Sequence, residues 1–398
     1  MAEVVFFSNY LNHHQLSFCE ELARLTDNNF YFVAQKAISE KRISFGYQNI
    51  TEKYPFVVKT YKSEEELKGA YDLALKADYV LFGSSNTDYI ENRIKDNKIT
   101  FKYSERLFKK KLGFIDILKG YRRVFKNHTR FNRKKLYMLC ASSYAAYDFN
   151  RFGAYKGKTY KWGYFPETKH YVIDELIKCK ENNKRVKILW AGRLIDWKHP
   201  ECCIEVARRL KKDNIDFELN IVGNGVMEAE LKALIDRYEL SEYVHMLGSM
   251  PPDDVRKRME EANIFLFTSN MQEGWGAVLN EAMNSGCVCI ASHAIGSAGF
   301  LIEHGENGFV YRDGDMDDLY EKLRKLVDNS ELRVKIYKNA YKTITELWNA
   351  EEAARRFLIL CECLENGKDT PFVTGPCSRA ISIGDDKMYE YLTGKCYG

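Results

Sequence analysis

Gln272–Ser292 reads QEGWGAVLNEAMNSGCVCIAS. It sets one carboxylate, Glu273, in a glycine-bearing loop and a second, Glu281, inside a helical pattern, with an apolar strand-like run behind both. Glu281 is expected about five residues into the helix, about 7–8 Å along its axis. That separation suits a ligand with a hydroxyl-rich sugar at one end and a ribose at the other. Free helix N–H groups would face phosphates in between.

Working outward, the same strand, loop and helix order recurs. Val186–Ala191 is a continuous apolar run leading through GRLIDWKHPE into an amphipathic stretch, and Val4–Ser8 opens the chain in the same way. Such runs read as parallel strands buried on both faces and joined by crossover helices. Further runs follow at Phe30, Phe56, Tyr79, Ile99 and Tyr137, and at Phe217, Val244, Ile264, Val288 and Gly308. The pattern predicts an α/β protein of two doubly wound, Rossmann-like domains with ligand bound at the carboxyl ends of their strands, in a cleft between them. The boundary is expected in WGYFPET, which divides the chain into residues 1–165 and 166–370. A long helical tract from Met316 to Leu364 would close the second domain, and a tail, 371–398, would return to the first.

A chain of 398 residues suits two domains, and a formal charge of +4 carries no whole-molecule argument for nucleic acid. No apolar run approaches the ~20 residues of a membrane span. MAEVVFFSNY lacks a basic n-region and a long apolar stretch, so it does not read as a signal peptide. The 11 cysteines sit in apolar contexts without zinc-ribbon spacing and read as reduced thiols, which points to a cytoplasmic protein.

Arg193 and Lys198 follow a strand directly and could neutralise a diphosphate, one as a planar fork and the other as a point charge; a solvated loop with two charges fits them equally. Val222-Gly223-Asn224-Gly225 would let backbone approach a ligand, although strand-to-helix turns often use glycine. Gly248-Ser249-Met250 lies at another strand end. Glu273 and Glu281 also suit ordinary carboxylates at the favourable end of a helix dipole.

In this order and spacing, GRL…K, VGNG, LGSM, SNMQEGWGAVLNEAM and IEHGENGFVY resemble the retaining GT-B glycosyltransferases of glycosyltransferase family 4, group 1. The resemblance covers Val186 to about Val327. It implies the GT-B fold, a second domain that holds a UDP- or GDP-sugar donor, and a first that holds a saccharide or lipid-linked acceptor. Arg193, Lys198 and Glu273 would be catalytic, the two cations on the diphosphate and Glu273 on the hydroxyls of the transferred sugar. Glu281 would bind the ribose, and Met250 the base. Gly192, Gly223 and the stretch Gly274, Trp275, Gly276 and Ala277 would line the donor. The reaction implied is hexose transfer with retention of configuration, in bacterial polysaccharide or glycolipid synthesis. No metal or cofactor is called for; Asp313-Gly314-Asp315 falls in a late turn rather than matching a metal-binding Asp-x-Asp. A sugar-nucleotide epimerase of the same fold and a non-catalytic sugar-nucleotide binder are the alternatives.

The first half departs further from the family. Asn12 and His14, at the end of the first strand, could contact acceptor or phosphate or could cap the next helix. Glu105 stands where many members place a histidine, and a surface salt bridge would suit it as well. Residues 102–135 interleave basic side chains such as Lys109, Lys119, Arg122 and Arg123 with Phe108, Leu118, Tyr121 and Phe125. A basic amphipathic segment reads as a peripheral surface for anionic lipid at the inner membrane face, with a solvated helix face or nucleic acid as other readings.

Overall fold

The computed structural model describes residues 2–39, 49–83, 87–110 and 113–394. The chain divides into two compact units, Met1–Glu167 with Leu347–Ile383 and Thr168–Glu346 with Gly384–Gly398. Each is built on one parallel sheet. In the first unit the strands are β1 (Val4–Ser8), β2 (Phe30–Ala34), β3 (Val57–Lys59), β4 (Tyr79–Phe82), β5 (Thr100–Ser104), β6 (Leu136–Cys140) and β7 (Thr159–Lys161). Among the described residues their order is β3-β2-β1-β4-β5-β6-β7. The second unit has β8 (Val186–Ala191), β9 (Phe217–Val222), β10 (Val244–Gly248), β11 (Ile264–Phe267), β12 (Val288–Ser292) and β13 (Phe309–Tyr311), in the order β10-β9-β8-β11-β12-β13.

Both orders run outward from the first strand and then reverse, which is the doubly wound arrangement. The strands form because their side chains are apolar on both faces: every residue of β1 and of β12 is buried. The reversal in the second sheet falls between β8 and β11, which pair in parallel through Ile188 with Ile264 and Leu189 with Phe265. Loops leaving these two strands therefore emerge side by side, although some 75 residues separate them in sequence. Short Thr159–Lys161 has no counterpart in the sequence reading, because three residues carry too little pattern to separate from a loop.

The carboxyl-terminal third differs from the expectation. The helical tract is three helices, Met316–Val327, Ser330–Lys342 and Ala350–Glu365, with a π-helical turn at Thr343–Leu347 before the last. Only the first two belong to the second unit. Ala350–Glu365 packs in the first, where the Phe357 ring meets Phe18, Phe101 and Trp162. The tail follows its expected path into the first unit as far as Ile383, with the Ala380 N–H donating to the Thr159 carbonyl of β7, and departs from it only at its end. Its final helix, Asp385–Thr393, lies in the second unit, with the Tyr389 hydroxyl donating to the Asp318 carboxylate and Arg312 paired to Glu390. An apolar helical stripe does not state which of two cores will receive it, and that ambiguity produced both errors.

Candidate nucleotide-sugar site

The loop after β8 is bonded directly onto the loop after β11. The buried indole of Trp190 donates from Nε1 to Thr268 Oγ1 (2.9 Å), whose hydroxyl donates to the Lys198 carbonyl (2.7 Å). The Asn270 N–H donates to the Trp197 carbonyl, and the Asn270 amide bonds His199 Nε2 (3.1 Å). His199 adopts a left-handed conformation (φ 48°), closing the short turn Asp196–Lys198. Its Nδ1 bonds Glu201, which raises the imidazole pKa above its ordinary value.

This stitching brings Lys198 Nζ to 2.6 Å from Glu273 Oε2, with Ser269 Oγ donating to the same oxygen at 3.1 Å. The two side chains are only 12% and 14% exposed, and the ammonium lies 4.9 Å from the Trp197 ring centre. A charge pair this sheltered is held by its geometry, since losing either partner strands the other away from water. Arg193, by contrast, is exposed, with its guanidinium 5.7 Å from the Trp197 ring. The two cations and Glu273 thus rise from neighbouring strand ends at the reversal of the sheet, where ligands of such sheets bind.

Glycine is required at two positions here. Gly223 has φ +140°, and a Cβ on it would lie 1.8 Å from the Gly192 carbonyl oxygen. That carbonyl belongs to the first residue of the Arg193 loop, so the two strand ends can pack only without a side chain. The Gly223 N–H in turn donates to the Gly248 carbonyl (2.8 Å), which fixes the start of the loop carrying half-buried Met250. Gly276, at φ +83°, would place a Cβ 2.5 Å from the Phe267 ring. Between them, Gly274 is buried and Trp275 is 1% exposed with its Nε1 donating to Asn280 (2.9 Å). The Trp275 side chain is therefore an anchor beneath the loop, leaving backbone as what this residue can offer a donor. The helix Val278–Asn284 begins after Ala277, and Glu281 is its fourth residue.

Burial holds the Glu281 carboxyl above its ordinary pKa, with Arg256 and Lys169 pulling the other way. Both cations are tied to the same helix by Asn284. Its Oδ1 accepts from the Arg256 guanidinium and from the Lys169 N–H (2.8 Å), and its Nδ2 donates to the Lys169 carbonyl (2.9 Å). The sequence reading missed these residues, together with Ser269, Asn270 and His199. Arg256 sits in DDVRKRMEE, where nothing separates a buried arginine from its solvated neighbours.

Residues 174–343 match the family described as Glycosyl transferases group 1. The chain is also similar to AmsK, an amylovoran biosynthesis glycosyltransferase of Erwinia amylovora, which is 34% identical over 146 residues, 35% of this chain and 36% of that protein. The stretch 174–343, in the second unit, is a group 1 glycosyltransferase region. A Campylobacter jejuni relative, named N-acetylgalactosamine-N,N'-diacetylbacillosaminyl-diphospho-undecaprenol 4-alpha-N-acetylgalactosaminyltransferase, is 31% identical over 168 residues, 42% of this chain and 44% of that protein. Each match spans less than half of the relative's length. The fold extends further: HepE of Anabaena, solved with UDP, superposes with a TM-score of 0.67 at 15% identity, covering 92% of this chain and 100% of that one. The fold is GT-B.

The first-unit residues fall differently from those of the second unit. Asn12 is the N-cap of the helix His13–Leu25: its Oδ1 accepts from the His14 N–H (3.0 Å) and its Nδ2 donates to Gln15 (2.8 Å). This is the capping role, one of the two readings open to it from the sequence. His14 stacks on Tyr164 (5.9 Å between ring centres), and the Tyr164 hydroxyl donates to Glu105 (2.7 Å). Glu105 is also paired to Lys109 at 2.7 Å. His14 and Glu105 are thus joined through a tyrosine that the sequence reading did not single out. Asp315, in the late Asp-Gly-Asp turn, caps the helix Met316–Val327 by accepting from the Asp317 and Asp318 N–H groups.

Proposed function

We propose that this protein is a retaining glycosyltransferase moving a hexose from a UDP- or GDP-sugar to a saccharide or lipid-linked saccharide acceptor in bacterial polysaccharide or glycolipid synthesis. The observation that carries the proposal is the meeting of Lys198 and Glu273 at adjacent strand ends, with Arg193 and Glu281 on the same two loop systems. A donor diphosphate supplies the counter-charge for Lys198 and Arg193, which frees Glu273 to accept hydrogen bonds from sugar hydroxyls. As the bond between the anomeric carbon and the leaving phosphate oxygen breaks, the two cations stabilise the charge that grows on the nucleoside diphosphate. The acceptor oxygen attacks from the same face and its proton passes to the departing phosphate, so no enzyme nucleophile is used. Glu281 accepts from the ribose. The names of the relatives from Erwinia amylovora and Campylobacter jejuni support the setting.

The first unit is assigned the acceptor. Its helix Phe114–Asn127 leaves Ile117, Leu118, Tyr121 and Phe125 exposed, at 43%, 51%, 51% and 48%, among basic neighbours. Such a face suits peripheral contact with anionic lipid. Lys111 and Leu112 of the basic segment lie outside the described residues, and among those described no helix is long and apolar enough to cross a membrane.

The test is release of nucleoside diphosphate from a panel of UDP- and GDP-sugars, with product anomers read by NMR. Lys198→Ala should abolish turnover, while Glu281→Ala should chiefly weaken nucleotide binding. A protein that binds a donor yet releases no nucleoside diphosphate with any acceptor would sink the proposal.

A further inference from the structure

The first unit contains a cavity of about 380 Å³ that the donor chemistry leaves unused. It opens where β4 and β5 end, at Phe82 and Ser104, and the helix Phe114–Asn127 closes one side with Arg123 and Asn127. Among the described residues, three that line it can carry positive charge, Lys102, Arg123 and His128, and none is Asp or Glu.

Lys102 is 6% exposed. Among the described residues its ammonium makes no hydrogen bond or ion pair, and its one close partner is the Phe82 ring, 5.0 Å away. Burial pushes its pKa down to about 8, so it still carries its charge at neutral pH. Burial also depresses the His128 imidazole, and Lys102 and Arg123 depress it further, which places both cations within electrostatic reach of one ring. His128 Nδ1 is bonded to the Tyr155 hydroxyl (2.6 Å), leaving Nε2 as the ring nitrogen for the cavity. Burial keeps the Tyr155 phenol protonated, and among the described residues Nδ1 is the one acceptor within reach of its hydroxyl, so the hydroxyl donates and Nε2 carries the imidazole proton.

A buried ammonium without a partner costs several kcal/mol, and proteins seldom keep one unless something arrives to neutralise it. Here the unpaired charge stands beside a second cation and two uncharged donors, Asn127 and His128, around a space in the range of small-ligand sites. Donors converging from a strand, a helix and the residue after it suit a tetrahedral dianion better than a planar carboxylate. The position, at the carboxyl ends of parallel strands, is where such sheets take ligands.

We propose that this cavity binds a phosphate or diphosphate group carried by the acceptor. The proposal deepens, and rests on, the assignment of the acceptor to the first unit. It makes the acceptor a phosphorylated molecule, whether a soluble sugar phosphate or a lipid-linked one.

The test uses the full chain carrying R193A and K198A, which removes the diphosphate-binding cations of the donor site. Titration with inorganic pyrophosphate by calorimetry should give binding that K102M weakens about tenfold or more and R123Q several-fold, the loss expected for one buried and one exposed charge-assisted contact. Methionine matches the lysine stem and removes a desolvated charge, and Arg123 is exposed, so both variants should fold. Pyrophosphate affinity unchanged within twofold by both substitutions overturns the proposal. UDP and GDP binding, measured on K102M in the otherwise native chain, separates the two readings. Loss of the pyrophosphate effect with nucleotide binding intact refutes only the cavity, whereas a Lys102-dependent pyrophosphate site in a chain that binds no nucleotide refutes only the donor assignment. Farnesyl diphosphate identifies the source. Affinity above that of pyrophosphate, still dependent on Lys102, supports a lipid-carried group, and equal affinity supports a soluble one.

Discussion

Replacing Lys198 by Met, Glu273 by Gln, and both together separates what this pair does for stability from what it does for turnover. At 2.6 Å, Coulomb's law with an effective dielectric constant of about 20 gives an attraction of about 6 kcal/mol, most of it offset by desolvation of two groups that are 12% and 14% exposed. Each single substitution leaves the other charge sheltered and unpaired, at a cost of about 2–3 kcal/mol, slightly under the value for fully buried pairs because some solvent remains. The double variant has no stranded charge and should lose only about 2 kcal/mol instead of the sum of the two single losses, which implies a coupling energy of about 2–4 kcal/mol. Urea unfolding followed by tryptophan fluorescence reads this directly, because Trp190, Trp197 and Trp275 surround the site. Turnover should behave differently, falling by about 10²–10³-fold in K198M and staying low in the double variant, since the second substitution removes the stranded carboxylate but does not restore the cation facing the leaving group. Additive stability losses would mean that the close contact carries no energy. Recovered turnover in the double variant would show that Lys198 acts only as Glu273's structural partner.

Three further outcomes follow from the same geometry. Gly223→Ala puts a Cβ into the Gly192 carbonyl and should destabilise by about 3–5 kcal/mol, from overpacking plus backbone strain, whereas Gly314→Ala, with φ +76° and open space, should cost about 1 kcal/mol in the same urea assay. Glu281 titrates above the ordinary carboxylate value in the folded chain, so its contribution is present below the unfolded pKa and is lost as pH rises through the raised one. Glu281→Gln should therefore flatten the fall in melting temperature over that acid-to-neutral window and leave the variant more stable than the parent at pH 7; an unchanged slope would contradict the burial argument. Asn12→Ala should cost about 1 kcal/mol through the lost cap and leave the KM for acceptor unchanged within twofold; a large KM effect would return Asn12 to the site.

The second half was the more legible because its information is local. Strands buried on both faces announce themselves as unbroken apolar runs, and the glycines of VGNG and EGWG mark places where backbone approaches backbone. The first half has shorter strands and polar loops whose residues serve several purposes at once. Asn12 reads identically as a cap or a ligand contact, and Glu105 gains its meaning from Tyr164, 59 residues away. Lys102 is the sharpest case. Within TFKYSERL it looks like one more member of a basic run, and only the packing of β5 beneath a helix withdraws it from water.

By itself the sequence determined the alternation of strands and helices, the doubly wound class, and the residue types of a nucleotide-sugar site, because periodicity and spacing act over a few residues at a time. Tertiary structure decided which strand ends are neighbours, and so that Lys198 meets Glu273. It also decided that the aromatic face of Ala350–Glu365 belongs to the first core, that Trp275 is an anchor, and that one lysine of a basic run is buried with no counter-charge among the described residues. Burial and pairing are properties of the assembled sheet, where desolvation makes a charge costly or useful, and no local pattern encodes them.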